Sequence, residues 1–399
     1  MVTVVGIGAD GWAGLSPAAQ EAVRSAEVLM GSTRQLDLIP ATPADRVTWP
    51  SPLLPALAGL LDEHRDRDLC VLASGDPMFF GIGITLVRLL GPQQVRVVPH
   101  PSSVSLACAR LGWPLQHTEV ITLVGRPVET LHPAIQPANR MLVLSADGST
   151  PAKVAKLLTD RGYGASTLAV LEQLGGPGER HVTGAAATWA HREVNALNVV
   201  AVECHADPAA PLLPRVPGLP DDAFDHDGQL TKREVRAVTL SRLAPVPGEL
   251  LWDVGGGAGS IAIEWMRTHP TCRAIAIEQH PERAERMGRN AAALGVPGLQ
   301  VVTGKAPDAL AGLEQPAAVF VGGGVTAPGV LETCWEALRS GGRLVANAVT
   351  MESEVVVADW QHHLGGDLVR LAVHRASPVG GFTGWRPMMP VTVWAVTKR

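Results

Sequence analysis

The sequence predicts an α/β protein with two domains, each built around a parallel sheet. The chain has 399 residues, more than a typical domain of roughly 100–200 residues. Apolar, β-rich segments alternate with helical patterns in both halves, which is typical of parallel sheets covered by helices. A proline-rich stretch, "ADPAAPLLPRVPGLPD", separates the halves, and its prolines exclude helix and central strand. We therefore expect a first domain over residues 1–205, a linker over 206–225 and a second domain over 226–399.

The predicted strands are short apolar runs rich in β-branched residues and bounded by glycine, proline or polar residues. In the first half they lie near "VTVVGIG", "DLCVLASG", "QVRVVPH", "RMLVLSA", "STLAVLEQ" and "NVVAVEC". In the second half they lie near "ELLWDVGG", "RAIAIE", "LQVVTG", "AAVFVGGG", "RLVANAVT" and "VTVWAVTKR". No fixed-period repeat relates the two sets, so we expect two different ligand-binding folds rather than a duplication.

Composition narrows the classes of function. A formal net charge of −5 provides no basic footprint for nucleic acid or an anionic membrane. The five cysteines are scattered singly, and neither C-x-x-C nor H-E-x-x-H occurs, so we expect no metal site. The sequence has no signal peptide pattern and no apolar run near about 18 residues, so we expect a cytoplasmic protein. Arginine dominates the cations, and some arginines are expected to bind substrate carboxylates through two parallel hydrogen bonds.

The first strand is followed by a literal dinucleotide fingerprint, G-x-G-x-x-G, formed by Gly6, Gly8 and Gly11. A dinucleotide site also needs an acid at the end of the next strand. Glu27 instead precedes the segment "VLMG", and Ser16–Pro17 is a typical helix start. This fingerprint is therefore weak evidence, and a nicotinamide-dependent dehydrogenase is kept only as a rival hypothesis.

The stretch "LWDVGGGAGSIAIE" in the second half combines a strand, a glycine turn and a helix start. Gly255, Gly257 and Gly259 have the spacing G-x-G-x-G, and Asp253 stands two residues before them. A carboxylate beside a pyrophosphate at about 4 Å would cost about 4 kcal/mol at an effective dielectric of about 20. S-adenosylmethionine carries a sulfonium and an ammonium group, so an acid beside it is favourable.

Two further segments complete this pattern. Glu278 ends the next strand, where an acid accepts the ribose hydroxyls of a bound nucleoside. Gly304, Lys305 and Ala306 lie in "VVTGKAP", a turn expected to pack on adenine. The order of these motifs indicates a class I S-adenosylmethionine-dependent methyltransferase. A class I enzyme acting on protein or RNA is a rival, which the absence of a basic stripe disfavours.

Further residues near this glycine turn are candidates for contacts with the substrate. "LTKREVRAV" contains a potential capping box, Thr231 with Glu234. Lys232 and Arg236, four residues apart, are expected to share a face and to bind a ligand with several negative charges. The glycines 322–324 after the fourth strand leave room for a flat carbon nucleophile, and Asn347 is a further candidate.

Several motifs of the first half resemble those of the tetrapyrrole (class III) methyltransferases. They are "VVGIGADG", "VLASGDPMFFGIG", "PHPSSVSLACARLGWP", "ITLVGRP" and "LEQLGGPGERHVTG". The resemblance implies a bilobal tetrapyrrole methylase fold in which S-adenosylmethionine binds between two α/β lobes. The contacts would be made mainly by backbone groups of these loops.

The second half resembles the decarboxylating precorrin methyltransferase domain, a class I Rossmann-like fold. The two domains together resemble the precorrin-6Y C(5,15)-methyltransferases of cobalamin biosynthesis. That resemblance implies methylation of precorrin-6B at carbons 5 and 15, with loss of carbon dioxide from the ring C acetate, to give precorrin-8X. It also implies two S-adenosylmethionine sites and a homo-oligomer, a dimer or a tetramer. The alternative is a single-activity class I methyltransferase acting on another substrate, with a non-catalytic N-terminal module.

The resemblance also implies which residues bind the cofactor. In the second half they are Thr231, Asp253, Gly255, Gly256, Gly257, Ala258, Gly259, Glu278, Gly304 and Ala306. In the first half they are Gly8, Gly75, Asp76, Met78, Ser102 and Ser103. The chain departs from the family at Val124, where a histidine is usual, and in its "GGGAG" turn, where Gly-Ala-Gly-Ser-Gly is more common.

Overall fold

The computed structural model describes residues 1–191 and 194–399. These residues form two compact units, the first made of Met1–Val128 and Pro137–Pro211 and the second of Glu129–Gln136 and Leu212–Arg399. The predicted linker therefore lies around the unit boundary, but one short segment of the first half groups with the second unit. Over the described part of the chain, no helix is both long enough and apolar enough to cross a bilayer.

The first unit begins with a sheet of five parallel strands in the order β3-β2-β4-β1-β5. Its strands are β1 Val2–Ile7, β2 Val28–Gly31, β3 Asp45–Thr48, β4 Leu69–Ser74 and β5 Val95–Val98. The helices that follow its strands in the chain are α1 Gly11–Gly14, α2 Pro17–Arg24, α3 Thr33–Asp37, α4 Leu53–Glu63, α5 Ile82–Leu90 and α6 Ser103–Leu111, of which α6 packs on the second sheet of the unit. The predicted strands here are confirmed, whereas the strands β2 and β3 were not among those predicted.

Two helices that follow strands of this sheet begin with side-chain caps, and the start at Ser16 was predicted. The Ser16 hydroxyl accepts a hydrogen bond from the Ala19 amide at 3.2 Å, with Pro17 at the first helical position. The Ser102 hydroxyl likewise accepts from the Ser105 amide at 3.1 Å. Each cap satisfies a backbone donor that the first helical turn leaves free. The loops that enter α2 and α6 are therefore fixed where they leave the sheet.

The second sheet of the first unit is mixed, so the prediction of a parallel sheet is wrong here. Its strands, in the order β6-β7-β10-β8-β9, are β6 Glu119–Thr122, β7 Arg140–Leu144, β8 Thr167–Glu172, β9 Arg180–Ala185 and β10 Asn198–Glu203, and α7 Thr150–Asp160 packs with it. Only β6 and β7 are parallel, and β10 runs antiparallel to both of its neighbours. No α-helix separates β8 from β9, and a parallel connection needs a crossover of a dozen or more residues.

The second unit contains a sheet of seven strands in the order β13-β12-β11-β14-β15-β19-β16. Its strands are β11 Leu250–Val254, β12 Arg273–Glu278, β13 Gln300–Thr303, β14 Ala318–Val321, β15 Arg343–Ala348, β16 Asp367–Leu371 and β19 Val391–Thr397. Its helices are α8 Arg233–Leu243, α9 Ser260–Thr268, α10 Pro281–Ala293, α11 Val330–Ala337 and α12 Met351–Leu364. The strands β11–β15 are parallel, and β19 runs antiparallel to β15 and β16.

All the strands predicted for this half are present in the sheet. A separate hairpin of β17 His374–Val379 and β18 Phe382–Pro387 was not predicted. Successive residues of β11 point to opposite faces, and both faces are buried: Leu251 packs with Trp265 on one side, and Trp252 packs with Trp394 on the other. Burial on both faces explains the nearly continuous apolar runs of the central strands.

The proline-rich segment packs against the second unit and is not an extended linker exposed to solvent. It holds no α-helix or strand over residues 206–225, and a short 3-10 helix spans Asp221–Ala223. Leu213, Leu219 and Phe224 are buried in one apolar cluster with Ile263 of α9. The prolines therefore stiffen a segment that Leu213, Leu219 and Phe224 anchor to the second unit.

The predicted capping box before α8 is not formed. The helix begins at Arg233, and Lys232 occupies the cap position without a side-chain hydrogen bond. Glu234 pairs with Arg375 at 2.6 Å instead of closing a box with Thr231. The reason is that Thr231 lies one residue too early in the chain to cap this helix.

Arg236 does not face a ligand, which corrects its prediction as a substrate contact. Its side chain is 0% exposed. The Nε group donates to Glu264 at 2.6 Å, and Nη1 donates to Asp221 at 3.2 Å. Nη2 donates to the Leu219 carbonyl, and the guanidinium lies 4.9 Å from the centre of the Phe224 ring. Arg236 therefore ties α8 to α9 and to the proline-rich segment.

Replacing Arg236 with methionine should lower the free energy of unfolding by about 3–5 kcal/mol, because the buried Glu264 carboxylate loses its counter-charge. The double variant R236M/E264Q removes both charges and should recover much of that loss. Arg242, on the same helix, pairs with Asp367 at the surface, so R242M should cost less than about 1 kcal/mol. Denaturant unfolding of the three variants measures these differences, and equal losses for R236M and R242M would contradict the assignment.

Candidate functional site

The first unit holds a cavity of about 430 Å³ at the carboxyl ends of its parallel strands. Among the predicted cofactor residues, those that line it are Gly8, Gly75, Asp76, Ser102 and Ser103, and Val124 lines it as well. Met78 is not on the wall: its amide donates to Asp76 Oδ1 at 2.8 Å, and its side chain is turned towards solvent. The structure thus brings together loops that are far apart in the sequence.

The glycines of this cavity allow close approach of backbone segments. A Cβ at Gly6 would lie 2.1 Å from the Gly75 carbonyl oxygen, and one at Gly8 would lie 2.5 Å from the Asp10 carboxylate. Gly75 has a φ of +59°, which glycine adopts without steric cost. Its amide donates to the Ile7 carbonyl at 3.0 Å and so joins the ends of β4 and β1. Gly6 and Gly8 of the fingerprint therefore allow close packing at the carboxyl ends of the strands.

Sequence reasoning missed several side chains of the same wall. They are Arg34, Gln35, Trp49, Phe79, Phe80, Thr122, Ser145 and Asn198. Phe80 has a φ of 55°, a conformation that is strained for a bulky residue and is often found at functional sites. The motif "GDPMFFGIG" contained this signal, but the aromatic pair was not singled out.

The second unit holds a smaller cavity of about 180 Å³, also at the carboxyl ends of its parallel strands. Predicted residues on its wall are Gly255, Gly257, Glu278, Gly304 and Ala306, together with the glycines 322–324. Gln229, Gln279, Arg283 and Lys305 supply further polar groups. This crevice lies beside β11, where the strand order reverses and where open α/β sheets bind their ligands.

Glu278 orders the glycine turn of this cavity. Its side chain is 4% exposed, Oε2 accepts from the Gly257 amide at 2.9 Å, and Oε1 accepts from the His280 amide at 2.9 Å. A carboxylate has about four acceptor positions, so both oxygens can accept further hydrogen bonds. Glu278 can therefore hold the turn and a pair of ligand hydroxyls together, and its role in binding stays a prediction.

The turns after β11 and β14 approach each other through glycine backbone alone. A Cβ at Gly255 would lie 2.7 Å from the Gly323 amide nitrogen, and Gly255 has a φ of +75°. The Gly255 amide donates to the Ile277 carbonyl at 2.9 Å, and the Gly322 amide donates to the Val254 carbonyl at 2.9 Å. The glycines therefore extend the sheet's hydrogen bonding up to the cavity edge.

Asp253 is not among the residues that line the cavity, and its role as a cofactor contact stays a prediction. The residue is 1% exposed, and Oδ2 accepts from the Ala262 amide in the first turn of α9 at 3.0 Å. Among the described residues, no hydrogen-bond partner faces Oδ1. Burial raises the pKa of Asp253 to about 7, the hydrogen bond from Ala262 lowers it, and the Glu278 charge raises it further. Asp253 thus supports the helix N-terminus beneath the turn.

Other predicted cofactor residues of the second unit are also displaced from the wall. Gly256 and Gly259 lie within the turn behind Gly257, and the Ala258 carbonyl accepts from Asn290 at 3.0 Å. The Thr231 carbonyl accepts from Arg236 at 2.5 Å. These residues shape the turn and its approach, and none of them lines the cavity.

Two predicted substrate residues also lie off the wall. Asn347 donates to the Thr239 hydroxyl at 3.0 Å, so its amide is held between β15 and α8. Lys232 is partly exposed at the start of α8. Lys232 is thus the member of the predicted cation pair that remains accessible.

A loop beside the second cavity is fastened by ion pairs. Asp227 accepts from Arg283 of α10 at 2.7 Å, and Arg286 lies 3.4 Å from the same carboxylate. These arginines and the Gln229 amide hold the pKa of Asp227 well below its usual range, the hydrogen bond from Arg283 contributing most. Because Gln229 lines the cavity, the ion pairs of Asp227 hold one edge of the cavity in place.

Comparison with known proteins assigns a family model to each half. Residues 1–190 match the tetrapyrrole (corrin/porphyrin) methylases, and residues 222–398 match the precorrin methyltransferase domain. The chain is similar over its whole length to the precorrin-6Y C(5,15)-methyltransferase [decarboxylating] of a Sinorhizobium species. The two are 52% identical over 398 residues, which is 100% of this chain and 96% of the relative.

Two shorter relatives each correspond to about half of the chain. The cobalt-precorrin-7 C(5)-methyltransferase of Salmonella typhimurium is 35% identical over 202 residues, 50% of this chain and 98% of the relative. A Pyrobaculum aerophilum protein named "Probable cobalt-precorrin-6B C(15)-methyltransferase (decarboxylating)" is 33% identical over 184 residues, 44% of this chain and 94% of the relative. Relatives with one named methylation each thus exist as separate half-length proteins.

The raised pKa of Asp253 predicts a pH dependence of stability. The folded protein holds this proton more tightly than the unfolded chain, so the stabilisation is complete below about pH 4 and is lost as the pH rises through about 7. D253N has no carboxyl group to titrate at this position. Its free energy of unfolding relative to that of the wild type should therefore increase by about 1.4 kcal/mol for each pH unit across that window. Thermal unfolding of both proteins over this pH range tests the claim, and parallel pH profiles would contradict it.

Proposed function

The chain belongs to the family of the decarboxylating precorrin-6Y C(5,15)-methyltransferases, and we propose that it methylates precorrin-6B at carbons 5 and 15. In this proposal, carbon dioxide leaves from the ring C acetate, and the product is precorrin-8X of cobalamin biosynthesis. The observation that carries the proposal is a separate cavity in each of two methyltransferase units, at the carboxyl ends of parallel strands. An enzyme with a single methylation site would need only one such cavity.

The residues of the second cavity fit S-adenosylmethionine, which supplies an electrophilic methyl group when bound. The Glu278 carboxylate has acceptor capacity left for the ribose hydroxyls. Gly255 and Gly257 keep side chains out of the space above the turn, since a Cβ on either would lie 3.0 Å or less from neighbouring backbone. Gly304 and Ala306 present a small wall suited to a flat adenine.

The first cavity fits the same cofactor through backbone groups instead of an acid at a strand end. The turns at Gly8, at Gly75–Asp76 and at Ser102–Ser103 meet on its wall. Because these loops follow β1, β4 and β5, which are adjacent in the sheet, they lie within reach of one ligand. We infer one cofactor site in each unit.

The residues around the second cavity suit a carbon nucleophile better than an amine. The glycines 322–324 offer no side-chain acceptor to hold a nitrogen, whereas Val254, Ile277 and Val330 line the wall with apolar atoms. An electron-rich macrocycle carbon requires no strong protein base for methyl transfer, so positioning and exclusion of water carry the rate. Lys305, on the same wall, is a cation suited to the substrate's carboxylates.

We assign carbon 5 to the first unit and carbon 15 with decarboxylation to the second. The half-length relatives, each named for one of these methylations, support a division of the two methylations between two domains. One observation favours the alternative of a non-catalytic first unit: Val124, which replaces the usual histidine of the family, lies on the wall of the first cavity. A polar contact is therefore missing there, and the experiment below distinguishes the two possibilities.

Mass spectrometry of precorrin-6B incubated with the protein and S-adenosylmethionine should show two added methyl groups and the loss of one carbon dioxide. One methyl group together with loss of carbon dioxide would indicate that the first unit is inactive. Addition of methyl groups without that loss would contradict the decarboxylating activity of the second unit.

The variant E278Q should lose affinity for S-adenosylmethionine at the second unit by about 1.5–3 kcal/mol, because hydrogen bonds to a charged acceptor are weakened. Calorimetry should then find two equivalents bound tightly per chain in the wild type and one in E278Q. Glu282 is exposed on α10, so E282Q serves as the matched control. Two unchanged equivalents in E278Q would contradict the role of Glu278.

A further inference from the structure

We propose that Arg34 binds a side-chain carboxylate of the tetrapyrrole in the first unit and thereby selects the substrate of that cavity. This inference rests on the proposed function, because it takes the substrate to be a polycarboxylated macrocycle. It assigns a substrate residue to a unit for which the sequence indicated only cofactor contacts.

The local structure holds Arg34 on the cavity wall. It lies in α3, directly after β2, and its Nη2 donates to the Ser74 hydroxyl at 2.9 Å. Gln35 donates to the same hydroxyl at 3.1 Å. A capping box between Ser32 and Gln35 fixes the start of the helix. Ser32, Arg34, Gln35 and Ser74 all line the cavity, so Arg34 belongs to an ordered polar corner.

Arg34 is a cation without a counter-charge. It is only partly exposed, and among the described residues no carboxylate forms an ion pair with it. Burial lowers the pKa of its guanidinium. Other arginines of this unit differ, since Arg110 pairs with Glu179 and Arg140 pairs with Glu203. A partly buried, uncompensated guanidinium facing a cavity favours an anionic ligand, and its planar fork matches a carboxylate.

The strand order of the sheet places the polar corner around Arg34 to one side of the expected cofactor site. The order is β3-β2-β4-β1-β5, and the turns proposed to hold the cofactor follow β4, β1 and β5. Arg34 follows β2, two strand positions from β1, a displacement of roughly 10 Å at about 4.8 Å per strand. Arg34 therefore lies on the β2 side of the cavity, beside the expected cofactor turns, where a second ligand would meet it.

The remaining wall near this corner suits a flat ring system. Phe79 and Phe80 both line the cavity and are 39% and 48% exposed, with ring centres 4.8 Å apart in an edge-to-face arrangement. Trp49, which follows β3, lines it as well. Exposed aromatic surfaces on the same cavity wall as an unpaired cation match a macrocycle that is apolar on its faces and anionic at its periphery.

The variant R34Q tests the role, because it removes the charge and keeps a donor for Ser74. With precorrin-6B as substrate, R34Q should raise the KM of the carbon-5 methylation by about tenfold or more. R34K restores the charge without the fork and should recover part of that loss. Affinity for S-adenosylmethionine and the KM of the carbon-15 step should stay unchanged, which provides a control within the same chain. R110Q, which alters an arginine outside the cavity wall, is the matched variant and should leave both steps unchanged.

The outcomes separate the two hypotheses. If the wild type forms the carbon-5 product and R34Q has an unchanged KM for that step, the role of Arg34 is overturned and the proposed function stands. A loss of S-adenosylmethionine affinity in R34Q would also overturn it, because the residue would then serve the cofactor site. If the wild type forms no carbon-5 product, the proposed function of the first unit fails and the role of Arg34 fails with it.

Discussion

The buried ion pair between Arg236 and Glu264 is the interaction on which the second unit most depends. Glu264 also accepts from the amides of Gly218 and Leu219, so one carboxylate holds α8 and the proline-rich segment on α9. That segment continues to Gln229 at the edge of the second cavity. Removing either charge would leave the other buried without compensation. The position of one cavity edge therefore depends on an electrostatic contact between residues that do not line the cavity.

In both units, a pair of glycines lets the ends of two strands approach each other at the cavity, although the two sheets differ in topology. In the first unit Gly6 and Gly75 allow two strand ends to meet, and in the second Gly255 and Gly323 do so. Parallel strands end at one edge, where backbone amides and carbonyls remain available to a ligand. Such cavities offer shape and hydrogen-bonding backbone, which suits a reaction whose rate comes mainly from positioning.

Two acidic residues at strand ends differ in role because of where each stands in its strand. Glu278 is the last residue of β12 and lines the cavity, whereas Asp253 is the penultimate residue of β11 and supports α9 from below. Side chains alternate along a strand, so a shift of one residue changes the direction completely. The sequence motif placed both acids near the turn, and only the structure showed that Glu278 lines the cavity and that Asp253 does not.

The sequence by itself determined the apolar strands, the helix start at Ser16, the glycine turns and the family resemblance. These features are local, because they depend on periodicity, on backbone freedom and on residues adjacent in the chain. Tertiary structure alone decided the mixed direction of the second sheet, the burial of Arg236 and the exposure of Arg34 to a cavity. Each of these depends on which distant segments pack together, since an arginine becomes a structural cation or a ligand contact according to the carboxylates that folding brings to it.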